Sequence, residues 1–197
     1  MKHLHHISLI LLILFATTLQ AQQPDENFHI YLCFGQSNMD GRGFIEPQDT
    51  AGISDRYLMM ASMDMPRLGR VCGKWYKAVP PLTMPFGKLS LADHFGRTML
   101  DNLPQEVRLG IINVAVGGCK IELFDEDTCA DYLKDQPEWF KQRVSVYDNH
   151  PYTRLITLAR EAQKQGVIKG ILLHQGESNT GDYEWPYKVK KVYEQLL

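Results

Sequence analysis

The sequence of 197 residues is short of several things, and each shortage closes off a class of function. Cysteine is sparse and wrongly spaced for metal. Cys33, Cys72, Cys119 and Cys129 form no C-x-x-C pair and have no paired histidines, so the common zinc patterns are excluded. Charge of one sign is also lacking: 21 Lys and Arg stand against 23 Asp and Glu, a formal net charge of -2. Nothing here would hold a polyanion, and nucleic acid is not an expected partner. The closest cations, Lys188, Lys190 and Lys191, read as a solvated helix face. There is no phosphate-loop or dinucleotide glycine pattern, since Gly41-Arg42-Gly43 is only a fragment of one. Neither a metal nor an organic cofactor is expected. No internal repeat or low-complexity stretch is present either.

One apolar run stands out, at the start. Met1-Lys2-His3 is a mildly basic head, Ile7 to Phe15 is apolar, and Thr17 to Gln22 offers a small-residue cleavage point after Ala21. That layout is a secretory signal peptide over residues 1–21, with a retained anchor as the alternative. No cysteine follows the run directly, so lipid attachment is not indicated. The reading is a secreted or periplasmic protein, free of the membrane after cleavage, with one domain over residues 22–197. Disulfides are permitted in that setting. Cys119 and Cys129 are one option across a loop, with Cys72 also available, while Cys33 lies in an apolar run as a buried residue.

The remaining pattern alternates strands and helices. His29 to Phe34 is the first buried strand, Leu109 to Val116 the second and Val167 to His174 the third. Between the first two lies an irregular stretch, Arg42 to about Lys88, rich in proline and glycine, and long loops of this kind usually form a functional wall. Within it, Trp75 and Tyr76 are either a platform for a sugar ring or a satellite core under the loop. Ser90, with Asp93 three residues on, predicts a capped helix reaching Asn102. Short helices are expected at Ala130–Lys134 and Trp139–Val144, and longer ones at Tyr152–Gln165 and Tyr183–Leu197. Strands separated by helices predict an α/β fold with a parallel sheet.

Each strand ends in small and polar residues: Gly35-Gln36-Ser37-Asn38, Gly117-Gly118 and Gln175-Gly176-Glu177. Ligands in open α/β sheets sit beyond the carboxyl ends of strands, so the three ends should share one rim. Ser37 alone reads as a helix N-cap. Beside a glycine amide and a carboxamide it also reads as a nucleophile, with the Ser37 N–H, the Gly118 N–H and the Gln175 side chain around one oxyanion.

The ordered motifs GQSNM, GGCKI and HQGESN resemble those of the SGNH (GDSL-like) hydrolase superfamily, in its carbohydrate acetylesterase and sialate O-acetylesterase branch. The likeness runs from about Ile30 to Leu197. It implies a three-layer α/β/α sandwich of flavodoxin-like form, with Ser37 as nucleophile and Gly118 and Gln175 in the oxyanion hole. Gln36, Asn38, Glu177 and Asn179 would support the site, with Asn179 also within reach of substrate. An acetylated carbohydrate would be the substrate. Cys119 stands where serine or threonine is commoner, at a position that contributes through its backbone.

A serine hydrolase also needs a base. In the family it comes from a D-x-x-H block, and none of His29, His94, His150 and His174 has an aspartate three residues before it. His150, after Asp148-Asn149, is the weak candidate among them. The sequence also stops within a helical pattern. The expectation is therefore an amino-terminal portion of such an esterase, impaired in hydrolysis, with a non-catalytic carbohydrate-binding remnant as the alternative.

Overall fold

The structure, a computed structural model, describes residues 23–196. The proposed signal peptide and its cleavage point near Ala21 lie outside the described residues. Among the described residues, no helix is long and apolar enough to cross a membrane.

Five strands form one sheet: β1 (Asp25–Gly35), β2 (Tyr57–Met60), β3 (Trp75–Lys77), β4 (Arg108–Ala115) and β5 (Gly166–His174). Their order is β3-β2-β4-β1-β5. All neighbours are parallel except β3, which runs antiparallel at one edge. The helices are α1 (Ser37–Asp40), α2 (Pro47–Thr50), α3 (Leu91–Asp101), α4 (Cys129–Lys134), α5 (Glu138–Ser145), α6 (Pro151–Ala162) and α7 (Trp185–Leu196).

Side chains alternate across a strand, and that alternation builds two cores. Ile30, Leu32 and Phe34 of β1 join Ile112 and Val114 of β4 beneath Leu155 and Leu158 of α6 and Val192 of α7. On the other face, Cys33, Ile111 and Leu109 pack with Tyr57 and with Ala92 and Leu100 of α3. The result is the expected three-layer α/β fold with a mostly parallel sheet.

Three local expectations are corrected. The stretch expected to be irregular supplies β2 and β3, whose short length gives no visible period. Ser90 occupies the N-cap of α3 but makes no capping bond, and its Oγ is buried without a partner. Asp93 turns instead to Arg97, at 2.6 Å. All four cysteines are free thiols, so neither Cys119 and Cys129 nor Cys72 enters a disulfide.

Candidate active site

The first turn of the site is made by Gly35, whose φ of 139° lies where side chains are rarely tolerated. A Cβ there would overlap the backbone of His174, so only glycine lets β1 end against β5. Gln36 follows as the N-cap of α1, and Ser37 is the first helical residue rather than the cap. Gln36 is 3% exposed. Its Oε1 accepts the N–H groups of Gly176 at 3.2 Å and Ser178 at 3.3 Å, tying the first strand end to the third.

The second strand end is tied in as well. The Ser178 hydroxyl donates to the Gly118 carbonyl at 3.1 Å. Asn179 accepts the Ile121 N–H at 2.9 Å and donates to Glu122 at 3.0 Å. Asn38 donates to Glu177 at 3.4 Å. Gln36, Ser37, Asn38, Gly118, Gln175, Glu177 and Asn179 thus come together on one rim, and hydrogen bonds between the three ends hold it.

Two backbone donors on this rim are unspent. Neither the Ser37 N–H nor the Gly118 N–H has an acceptor among the described residues. Gly118 has φ of 85°, and the space a Cβ would occupy there is open. Free amides beside a half-buried serine hydroxyl and an open approach are the parts of an oxyanion hole. Gln175 stands on the same rim, where its Nε2 donates to the Cys119 carbonyl at 2.9 Å, so one of its two amide N–H groups holds the turn. Asn179 is 4% exposed and fully engaged, which makes it a support and not a substrate contact.

Under the rim lies a carboxyl that the sequence did not mark. Asp40, at the end of α1, is 2% exposed and its Oδ1 has no partner. Burial pushes its pKa up to about 6, against the opposing pull of Arg143, Arg42 and the Gly117 N–H. The same burial raises the Cys119 thiol far above its ordinary value, so Cys119 is inert and fills space.

A family model for carbohydrate esterase, sialic acid-specific acetylesterase, matches residues 27–197. The chain belongs to this family. Solved structures agree with the fold. A protein from Arabidopsis thaliana, AT4G34215, superposes with a TM-score of 0.63 at 20% identity, over 87% of this chain and 68% of its own. NanS gives 0.60 at 21%, covering 88% of this chain and 62% of that one. XAC1771, titled a novel carbohydrate acetylesterase from Xanthomonas citri, gives 0.54 at 21%, covering 85% and 38%. The chain therefore spans between 38% and 68% of the length of these three proteins.

Against the family's chemistry, the histidines fall in separate places. His29 pairs in register with Leu109 and Val167, toward the strand starts, opposite the rim. His94 is exposed on α3, and His150 is exposed at the N-cap of α6, lining a cavity of about 550 Å³ with Cys72 and Arg154. His174 ends β5 on the rim, its Nδ1 3.9 Å from Glu177 Oε2 and without a hydrogen bond. None of them hydrogen-bonds Ser37 among the described residues. Trp75 and Tyr76 are not on the rim. Trp75 packs edge-on to Phe28 at 4.9 Å and against Gly110, and the Tyr76 hydroxyl accepts the Val71 N–H at 2.8 Å. They serve the core.

Of the three lysines of α7, Lys190 lies on the solvated face as expected, and the other two differ. Lys188 pairs with Glu122 and Asp182, each at 2.7 Å, and Lys191 with Asp125 and Asp127, each at 2.8 Å. They fasten the last helix to the loop after β4. Opposite-sign residues far apart in sequence give no local signal of this pairing.

Proposed function

We propose that this chain carries the serine nucleophile of a secreted or periplasmic esterase that removes O-acetyl groups from carbohydrate. Ser37 Oγ attacks the acetyl carbonyl, and the N–H groups of Ser37 and Gly118 receive the oxyanion. Collapse expels the sugar oxygen, which takes up the proton given up by the Ser37 hydroxyl, and leaves an acetyl-serine, which water then cleaves to acetate and free Ser37. The observation that carries this reading is the pair of unspent amides flanking Ser37 with open space before Gly118. Family membership supports the ester chemistry and the acetylated carbohydrate. No step requires a metal or cofactor.

A second reading has an observation of its own. With no histidine bonded to Ser37 among the described residues, the same rim would bind carbohydrate without turning it over, and hydrolysis by this chain is expected to be weak. Labelling with a serine-directed phosphonate, read by mass, separates the two. The esterase reading expects one label, lost in Ser37→Ala, together with acetate release from acetylated sugar that falls to background in the same variant. Unlabelled wild-type protein, or acetate release that Ser37→Ala leaves intact, sinks it.

A further inference from the structure

Beside the Gly117–Gly118 turn stand three cations with almost no acidic company. Arg42 is 46% exposed at its side chain, and its Nη2 is 3.6 Å from Asp40 Oδ2, too long for a hydrogen bond. Its guanidinium fills the space that a Cβ on Gly117 would take. Arg143, from α5, lies 5.4 Å over the ring of Phe86, and Lys88 Nζ lies 4.3 Å over the ring of Phe44. Both rings face solvent, at 59% and 78% exposure.

These groups form one continuous surface. The Arg42 and Gly43 N–H groups donate to the Leu89 carbonyl, and the Leu89 N–H returns to Gly43, so the two cation-bearing loops are zipped together. Arg143 is close enough to Asp40 to oppose its burial shift, as Arg42 does. Among the described residues, the one carboxylate paired with any of the three cations is Asp40, which is buried. Isolated surface cations are ordinary. Three of them together, two over exposed rings and Arg42 against the candidate oxyanion turn, are a recognition surface for something both ring-shaped and negative. A neutral glycan would leave the cations unused, and the chain's net charge of -2 argues against a polyanion such as nucleic acid.

We propose that this strip holds a carboxylate-bearing sugar, a uronic acid neighbouring the acetylated residue in an acidic glycan strand. The proposal rests on the acetylesterase reading for the place of the reacting sugar. The neighbouring position follows from the sheet: Ser37 follows β1, whereas Arg42 lies over the end of β4, the next strand. That spacing is about 4.8 Å, roughly one sugar ring further along the rim, and Arg143 and Lys88 extend the same surface.

The test is calorimetric titration of the Ser37→Ala protein, which cannot form the acetyl-serine. The probes are a xylo-oligosaccharide carrying one glucuronic acid, the unsubstituted oligosaccharide of equal length, and free N-acetylneuraminic acid. The acidic oligosaccharide should bind about tenfold more tightly than the neutral one, the worth of a charge-assisted hydrogen bond. The gap should narrow with added salt. It should close in the Arg143→Gln/Lys88→Gln double variant, with one half-buried and one exposed site, whose folding is checked by circular dichroism. Equal binding of the two oligosaccharides, or none, overturns the proposal. A gap that survives the double variant overturns it too. If the monosaccharide loses as much affinity as the acidic oligosaccharide, the carboxylate belongs to the reacting sugar, and the neighbouring assignment fails. Phosphonate labelling of the wild-type serine decides the esterase reading separately: an acidic preference without a label removes the nucleophile and keeps the strip.

Discussion

Asp40 shows what a single residue costs this fold. A carboxyl whose pKa rises from 3.8 to about 6 on folding binds its proton more tightly in the native than in the unfolded chain. Relative to the acid protonated in both states, its contribution is nil below about pH 3, turns unfavourable as pH rises between about 4 and 6, and by pH 7 is a penalty of up to about 3 kcal/mol. Burial is the cause, and the two arginines with the Gly117 N–H repay only part of it. Asp40→Asn keeps the shape and removes the charge. The variant should match the wild type in thermal stability near pH 3 and exceed it near pH 7.5. An equal difference at both pH values would show that Asp40 does not titrate in this range.

Between elements, the balance is set by close contacts that local propensity does not foresee. Gly96 sits inside α3, where alanine is ordinarily favoured by about 1 kcal/mol. A methyl there would overlap the ring of Tyr57, which is fully buried and donates from its hydroxyl to the Ala92 carbonyl at 2.6 Å. Overpacking of this kind costs about 1–3 kcal/mol, so Gly96→Ala should lower the denaturation midpoint despite the better helix former. A raised midpoint would mean that α3 can slide on β2. The loops obey the same logic. Gln36→Ala would strand the Gly176 and Ser178 N–H groups, a loss of roughly 2 kcal/mol. Amide exchange at those two residues should quicken well before the sheet opens, whereas unchanged exchange would mean that the third loop holds its shape unaided. The strand ends that carry these contacts were legible in the sequence, because an apolar run stopping at glycine is a strong local signal. β2 and β3 were not, since four and three residues are too few to show a period. In sequence Arg42 reads only as part of a glycine fragment, because what distinguishes it is a neighbour from another strand end.

For the molecule as a whole, acid should act in opposite senses on its two sides. The seam between α7 and the loop after β4 is built from Glu122, Asp125 and Asp182. Burial raises the pKa of Glu122 and Asp125, but the hydrogen bonds of Lys188 and Asn179 to Glu122, and of Lys191 and Gln195 to Asp125, outweigh it and leave both lowered. Asp182, drawn chiefly by Lys188, is lowered as well. A depressed carboxylate stabilises the fold above its unfolded value, and that contribution is lost as pH falls through the native one. The seam is therefore intact at neutral pH and loosens below the ordinary carboxylate range, just where the Asp40 penalty has vanished. Trp185 reports on this, since it begins α7 and lies 3.2 Å from the space beside Gly176. With Trp75 and Trp139 replaced by phenylalanine, lowering the pH should shift the remaining indole emission in a transition that precedes loss of the sheet's circular dichroism. Lys188→Met should move that transition to higher pH, because Glu122 and Asp182 would then ionise less readily. Coincident transitions in both proteins would mean that packing on the core, through Val192, and not the ion pairs, holds the last helix against the sheet.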